Sequence, residues 1–471
     1  MTADAATYTR LLQRLASGDQ RHVLRFWDEL SAAQRQRLAA QVDALDLELV
    51  ARLFSDRDAV EDYGALAARA NGPPAFRVGR NDGPISRTAA RKRGASAIAE
   101  GKVGAVLVAG GQGSRLGFEH PKGMFPIGPV SDHSLFQILL EKLAATRRRH
   151  GATIPLYVMT SDATHDETVA YLTERRFFGL PAEDVRFFQQ GNLPAVDAET
   201  GKLLLADHDS LALSPDGHGG MLAALEKSGA LAEMQRRGLE RLFYFQVDNP
   251  LVVMCDREFL GYHVLSGSEM STQVVAKTAP DDRVGNVVSV DDQVRIIEYS
   301  DLPLEYAAAR NADGALRLWA GSVAVHVFDV AFLARMADSP VGTPYHVARK
   351  AVACLDAAGN LISPRGDEKN AIKFERFIFD LLPAARRSIV MEVDAALAFA
   401  PVKNATGAAK DTPESVKRQM VAVHRRWLES AGAEIDGEAD VEVRPGFALD
   451  AADVAARLTL PCRVKTATLF E

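Results

Sequence analysis

The chain has 471 residues, of which 47% are hydrophobic and 25% charged, with 55 basic and 62 acidic residues and a net charge of −7. These values exclude a disordered, collagen-like or disulfide-rich protein. A mildly acidic chain has no electrostatic reason to bind nucleic acid or an anionic membrane, so a polyanionic ligand would need a local site.

The three cysteines, Cys255, Cys354 and Cys462, are far apart and have no metal-ligand spacing, which predicts free thiols in a reducing compartment. The first fifteen residues lack the apolar centre of a signal peptide. No window approaches the ~20 apolar residues that a membrane span needs. We therefore expect a cytoplasmic protein without membrane association.

In chain order, apolar residues at three- and four-residue steps predict helices up to about residue 70, and a Gly- and Pro-rich stretch at 71–90 predicts a linker. From about residue 100, strands and helices alternate, which predicts a central, mostly parallel, Rossmann-like sheet flanked by helices. The predicted strands are 103–108, 156–159, 185–188, 242–247, 272–276, 293–297 and 323–328.

Three helix starts carry capping patterns: Ser134 with Gln137, Thr164 with Glu167, and Thr412 before Pro413, whose helix should end near residue 431. The segment after that helix looks strand-like. The predicted organisation is a helical N-terminal region (1–95), a Rossmann-like α/β domain (96–391) and a small C-terminal domain (392–471).

A glycine-rich loop follows the strand at 103–108 directly. It reads AGGQGSRLG from Ala109 to Gly117, and PKG follows from Pro121. Gly110, Gly111 and Gly113 let the backbone approach a bound group and direct amides at it, and Arg115 and Lys122 add positive charge. This combination predicts a nucleoside triphosphate site.

Two common alternatives fail on spacing. A dinucleotide loop of the form GxGxxG, counted from Gly111 and Gly113, would need glycine at Leu116. A Walker loop would need GxxxxGK followed by Ser or Thr, which does not occur.

The loop and the PKG segment resemble the nucleotidyltransferase signature of the UDP-sugar pyrophosphorylase family, and look most similar to its branch of eukaryotic-type UDP-N-acetylhexosamine pyrophosphorylases. The resemblance continues in the family's order over residues 100–410. It passes through SLFQ from Ser134, FFQQGNLPA from Phe187, SPDGHGG from Ser214, VDN from Val247, IEYS from Ile297, IKFE from Ile372 and APVKN from Ala400.

The resemblance implies UTP and a sugar 1-phosphate as small-molecule substrates, Mg²⁺ as cofactor, and a monomer or weak homo-oligomer. It implies catalytic roles for Arg115, Lys122 and Lys403. The residues implied in nucleotide binding are Ala109, Gly110, Gly111, Gly113, Gln190 (with Gln189 as the alternative), Gly217, Asp248 and Lys373, with Asp248 also holding the metal.

On the sugar side, the resemblance implies His218, Glu298, Tyr299 and Ser322. Here the chain departs from the family, which usually has asparagine at both His218 and Ser322, and glycine at Ala371. These departures leave the identity of the sugar open. The oligomeric state, the direction of flux and the role of the N-terminal helices are open as well.

The absence of a Ser-His-Asp order, an HExxH motif and a CxxC motif suits this reaction, because an ionised sugar phosphate is itself the nucleophile. We expect transfer of a uridylyl group to N-acetylglucosamine 1-phosphate. Glucose 1-phosphate or a broad sugar range is the alternative. A nucleotide-sugar-binding regulator that has lost turnover is a third hypothesis, which the retained Arg115, Lys122 and Asp248 disfavour.

Overall fold

A computed structural model of the chain describes residues 3–59, 61–80, 83–339, 342–366 and 368–471. The α-helices in these ranges are α1 (Ala3–Ala16), α2 (Ala32–Ala44), α3 (Leu47–Ser55), α4 (Tyr63–Arg69), α5 (Arg87–Ala99), α6 (Leu135–His150), α7 (His165–Glu174), α8 (Met221–Lys227), α9 (Ala230–Arg236), α10 (Arg257–Leu265), α11 (Leu304–Ala307), α12 (Val330–Ala337), α13 (Ala395–Ala398), α14 (Pro413–Ser430) and α15 (Ala451–Arg457). No helix in the described ranges is both long and apolar enough to cross a bilayer.

The strands in the same ranges are mostly short. They are β1 (Ala75–Phe76), β2 (Val103–Val108), β3 (Leu156–Thr160), β4 (Val185–Gln189), β5 (Asn192–Pro194), β6 (Val196–Asp197), β7 (Leu205–Asp207), β8 (Ser210–Leu211), β9 (Leu213–Pro215), β10 (Arg241–Gln246), β11 (Met270–Ala276), β12 (Asn286–Val290), β13 (Gln293–Ile297), β14 (Ala320–Asp329), β15 (Tyr345–Lys350), β16 (Cys354–Leu355), β17 (Leu361–Ile362), β18 (Ala371–Arg376), β19 (Ser388–Glu392), β20 (Glu434–Ile435), β21 (Val441–Val443), β22 (Arg463–Val464) and β23 (Thr468–Phe470).

The chain forms two compact units, each assembled from separate stretches. The small unit contains Met1–Glu61, Gln190–Met221 and Thr343–Ile378, and the large unit contains Asp62–Gln189, Leu222–Gly342 and Phe379–Glu471. The sequence predicts three consecutive segments instead. That division differs from the two units, because each unit combines stretches that are separated along the chain.

The large unit is built on a ten-stranded sheet in the order β1-β19-β11-β14-β10-β2-β3-β4, with β12 pairing both β13 and β14. Along this order, β14 is antiparallel to both of its neighbours, and the other pairs are parallel. The predicted mostly parallel α/β sheet is therefore confirmed. The central strands are buried on both faces, so they read as continuous apolar runs; β2 is VGAVLV and β10 is RLFYFQ.

The register of the sheet fixes which loops are neighbours. Val108 at the end of β2 is paired with Gln246 on β10 and with Met159 on β3. The Val247 amide donates to the Val108 carbonyl at 3.1 Å. The loops that follow these three parallel strands therefore leave the sheet side by side at its carboxyl edge, where ligands of open α/β sheets bind.

Of the N-terminal helices, α1–α3 belong to the small unit, whereas α4 and α5 belong to the large unit. The apolar residues of α1–α3, which include Leu11, Leu15 and Leu38, form one core with Val196, Ile372 and Phe374 of β6 and β18. The strands β15, β18 and β6 make a three-stranded antiparallel sheet. These helices thus complete a separate core of their own, which answers the question of their role that the sequence left open.

Three local features differ from the predictions. Thr164 does not cap α7; its hydroxyl instead accepts the Ser161 amide at 3.1 Å, within the turn that precedes the helix. The predicted linker contains strand β1, which pairs with β19 in parallel. The strand-like C-terminal segment includes the helix α15, whose Asp450 caps it by accepting the Asp453 amide.

Candidate active site

The glycine-rich loop starts where β2 ends and is fixed by its own backbone. The Ala109 amide donates to a carbonyl of β3 at 2.8 Å, and the Ser161 hydroxyl donates to the Gly110 carbonyl at 2.8 Å. The Gly113 amide donates to the His120 carbonyl at 2.9 Å, which folds the loop back onto the PKG segment. These bonds hold the loop at the carboxyl edge of the sheet.

Two glycines of the loop have different surroundings. A Cβ atom at Gly113 would lie 2.7 Å from the Phe118 carbonyl oxygen, so backbone packing alone requires glycine there. A Cβ atom at Gly111 would meet no protein atom within 4 Å. The amides of Gly110 and Gly111 donate to no acceptor in the described part of the chain. Open amides beside a glycine without a packing role are typical of a surface that a phosphate or a base edge approaches.

Charged side chains meet near this loop. Burial lowers the pKa of Lys122; the nearby Asp248 carboxylate opposes the shift, and the Lys403 and Arg115 cations add to it. Within the described ranges, none of these three cations forms an ion pair. Three unpaired cations near two carboxylates, Asp248 and Asp411, leave an excess of positive charge, which suits a polyanionic ligand.

Backbone hydrogen bonds at Val402 and Lys403 hold Lys403 near Asp248. The Val402 amide donates to the Asp248 carbonyl at 2.9 Å, and the Lys403 amide donates to the Asp411 carbonyl at 2.9 Å. Burial raises the pKa of Asp411, and Lys403 opposes that shift. Sequence reasoning gave no role in the site to Asp411 or Asn249, because their positions depend on segments about 150 residues apart in sequence.

Asp248 has the surroundings of a magnesium ligand. Its carboxylate is half-buried at the end of β10 and accepts no hydrogen bond in the described chain. No group of three or more His, Cys, Asp or Glu side chains in those ranges could enclose a metal ion. Mg²⁺ needs no such enclosure, because it is commonly held by one or two carboxylates together with substrate phosphates and water. The donor set around Asp248 therefore fits a magnesium ion that arrives with a nucleotide.

The residues predicted for the sugar side divide between the units, and three of them are in the large unit. The Ser322 amide donates to the Gly285 carbonyl at 2.8 Å, and a Cβ atom at Gly285 would lie 3.1 Å from Glu298 Oε1. Glu298 and Ser322 thus flank the same glycine. Tyr299 is 48% exposed and lines a pocket of about 280 Å³ with Arg283.

The small unit holds Gln190, Gly217, His218 and Lys373. Gln190 is only 9% exposed, and its side chain makes no hydrogen bond with the described residues. Gln189, the alternative, is exposed at the end of β4 in the large unit. Gly217 has φ +82°, and a Cβ atom there would lie 2.4 Å from the Arg376 carbonyl oxygen. Lys373 is half-buried on β18 between two core residues of that strand and forms no ion pair in the described chain.

His218 is a neutral side chain in this structure. Burial lowers the pKa of His218 to about 4, and His346 contributes to the shift. Its Nδ1 accepts the Ile378 amide at 3.2 Å, so the proton of the neutral ring is on Nε2. The imidazole is therefore uncharged and accepts a backbone hydrogen bond. A third departure, Ala371, is fully buried in a cluster with Ala195 and Ala212, which accommodates its methyl group.

The structure thus brings Arg115, Lys122, Asp248 and Lys403 together beside the glycine-rich loop. An open, mostly parallel sheet with such a loop and converging cations at its carboxyl edge defines a nucleotide-binding α/β protein. A family profile described as UTP--glucose-1-phosphate uridylyltransferase matches residues 84–407, and the chain belongs to this family. The resemblance found in the sequence is confirmed.

Relatives and solved structures agree with this family. The chain is 38% identical to the human UDP-N-acetylhexosamine pyrophosphorylase-like protein 1 over 436 residues, covering 89% of this chain and 85% of that protein. It is 37% identical to UDP-N-acetylglucosamine pyrophosphorylase of Saccharomyces cerevisiae over 357 residues, covering 74% of each. The structure of the uridine diphosphate N-acetylglucosamine pyrophosphorylase from Trypanosoma brucei superimposes with a TM-score of 0.80 at 25% identity, covering 98% of both chains.

Proposed function

We propose that this protein transfers a uridylyl group from UTP to N-acetylglucosamine 1-phosphate, which yields UDP-N-acetylglucosamine and pyrophosphate. The observation that carries the proposal is the clustering of Lys122 with Arg115, Lys403 and Asp248 beside a loop with open amides. The names of the relatives, which are N-acetylhexosamine or N-acetylglucosamine pyrophosphorylases, support this acceptor.

The reaction needs no nucleophile from the protein. An oxygen of the sugar phosphate forms a bond to the α-phosphorus of UTP while the bond from that phosphorus to the bridging oxygen breaks, and pyrophosphate leaves with the electron pair. The protein has to align two polyanions and neutralise their charge. In the proposal, Lys122 stabilises charge at the reacting phosphorus, Arg115 the departing pyrophosphate, and Lys403 the sugar phosphate.

Asp248 would hold Mg²⁺, which supplies further neutralisation of the phosphate oxygens when it is bound. The roles that the resemblance gives to Gln190, Gly217 and Lys373 in nucleotide binding, and to His218, Glu298, Tyr299 and Ser322 in sugar binding, stay predictions. So do a cytoplasmic location, for which the three free cysteines argue, and a monomeric or weakly oligomeric state.

Glucose 1-phosphate is the second candidate acceptor. One observation favours it: the family profile carries a glucose 1-phosphate description. Ser322, in addition, has a shorter side chain than the asparagine usual in the family. A shorter side chain at this position changes which substituent of the sugar ring can be reached, so the acceptor has to be measured.

The experiment measures pyrophosphate release from UTP and Mg²⁺ with a panel of sugar 1-phosphates. We expect release with N-acetylglucosamine 1-phosphate; release only with glucose or galactose 1-phosphate would keep the reaction and change the acceptor. Lys122→Ala should lose about 10²–10³-fold in the rate of release, whereas Lys102→Ala, at the opposite end of β2, should retain activity. Nucleotide binding without release for any sugar would favour the non-catalytic regulator instead.

A further inference from the structure

A buried asparagine joins two parts of the proposed active site. Asn249 is 3% exposed and follows Asp248 directly after β10. Its Nδ2 donates to the Ala398 carbonyl at 2.9 Å, and its Oδ1 accepts the Ala400 amide at 3.0 Å. The same Oδ1 also accepts the Leu251 amide at 3.1 Å. Every polar atom of this side chain is therefore bonded to backbone.

These bonds hold a segment that leads to Lys403. Ala398, Ala400 and Val402 are all at most 8% exposed, and the Val402 amide donates to the Asp248 carbonyl at 2.9 Å. Bonds thus occur at Ala398, Ala400 and Val402, and the next residue is Lys403. These bonds hold the segment beside the residues that follow β10.

We propose that Asn249 is a positioning residue that sets the place of Lys403 relative to Asp248. The inference rests on the proposed function, in which Asp248 belongs to the nucleotide and Lys403 to the sugar phosphate. Reaction between two bound substrates requires the attacking oxygen and the phosphorus to be aligned, and a displacement of about 1 Å can cost roughly 10²-fold in rate. The Asn249 side chain bonds both the Ala398 carbonyl and the Ala400 amide, and these two bonds limit such displacement.

The test uses the full chain with Asn249→Ala, Lys403→Ala and the double variant. We expect Asn249→Ala to lower kcat by roughly 10²-fold, because alignment is lost. The affinity for UTP, measured by calorimetry, should stay within about twofold, because the glycine-rich loop is untouched. The double variant should be no slower than Lys403→Ala alone, since Asn249 acts through that lysine.

Calorimetric stoichiometry for UTP counts folded sites, so kcat is expressed per folded molecule. Asn249→Ser, which keeps a polar group in the buried position, provides the same comparison if the alanine variant does not fold. The control is Ser268→Ala, which removes a buried hydroxyl bonded to the carbonyls of Met270 and Arg387 and should leave kcat per folded molecule unchanged.

Losses of kcat that multiply in the double variant, or an Asn249→Ala variant with unchanged kcat per folded molecule, would overturn the positioning role. Failure of the proposed function looks different, because the unmodified chain would then release no pyrophosphate with any sugar 1-phosphate.

Discussion

Lys122 combines burial with two neighbouring cations, so its positive charge is costly until a ligand arrives. A bound polyanion reverses this balance, because it supplies the negative charge that the free site lacks. In the proposed complex, the ammonium of Lys122 would thus be stabilised by substrate rather than by a protein carboxylate at hydrogen-bond distance.

This arrangement predicts a distinctive pH dependence. If protonated Lys122 is required, kcat/KM should fall as pH rises through a pKa below that of an ordinary lysine, about 10.4. Bound substrate raises that pKa, so the fall in kcat should occur at higher pH than the fall in kcat/KM. Steady-state rates between pH 7 and 10 measure both.

The matched variants are Lys122→Arg and Lys122→Ala. Arginine stays protonated throughout this range, so the alkaline fall should vanish in Lys122→Arg. Lys122→Ala should lose about 10²–10³-fold in kcat while binding of the sugar phosphate changes far less. Equal losses in turnover and in sugar-phosphate binding would assign Lys122 a different role.

Gly111 and Gly113 provide a second comparison at this scale. Gly111→Ala should fold normally and bind UTP about tenfold or more weakly, because the methyl group enters only the space left for a ligand. Gly113→Ala should lower the melting temperature, because its methyl group collides with the Phe118 carbonyl. Thermal melts and UTP titrations separate the two effects; a stable Gly113→Ala, or full UTP affinity in Gly111→Ala, would contradict this account.

At the scale of elements, the loop that carries Lys403 is tied to a second loop. Lys410 Nζ bonds Asp282 Oδ1 at 3.0 Å, and Asp282 also accepts the amides of Thr278 and Ala279 at 2.8 and 3.0 Å. Burial alone would raise the pKa of Asp282, but the Ala279 amide, Lys410 and Thr278 together hold it at about 2. The carboxylate is therefore charged at any pH where the enzyme would be assayed.

Asp282→Asn should keep the amide contacts and lose the ion pair, and Lys410→Ala should have the same effect. We expect each to raise KM for the sugar phosphate by no more than about fivefold, because one of the partners is exposed. The stabilisation from the charged carboxylate is present above the unfolded pKa of about 3.9 and is lost as pH falls towards 2. Initial rates at varied sugar phosphate test this; a change in KM for UTP alone would contradict it.

The strands of the large unit were largely predictable. The strand β2 was predicted with its observed bounds, and β10 was shifted by one residue, because continuous apolar runs mark strands buried on both faces. The two-residue β1 carries no pattern of its own and exists through pairing with β19. The glycine-rich loop could be predicted because its residues are adjacent in sequence. The roles of Asn249 and Asp411 could not, because they depend on bonds to segments that are distant in sequence.

At the scale of the whole molecule, the small unit depends on side chains from three separate stretches. Phe374 is fully buried in the core that also contains α1–α3, whereas Val347, its register partner on β15, is 36% exposed. Phe374→Ala should cost about 3–5 kcal/mol in the free energy of unfolding, whereas Val347→Ala should change it little. Hydrogen exchange of the α1–α3 amides is the measurement, and unchanged protection in Phe374→Ala would contradict a shared core.

The division of the small unit into three stretches also affects how the protein is made. The helices α1–α3 leave the ribosome before the strands that bury their apolar faces, because those strands lie in residues 190–221 and 343–378. Until then the nascent chain exposes leucines such as Leu11, Leu15 and Leu38. A chain truncated between these stretches would therefore expose the apolar core residues of α1–α3. Such a product would be prone to aggregation and degradation.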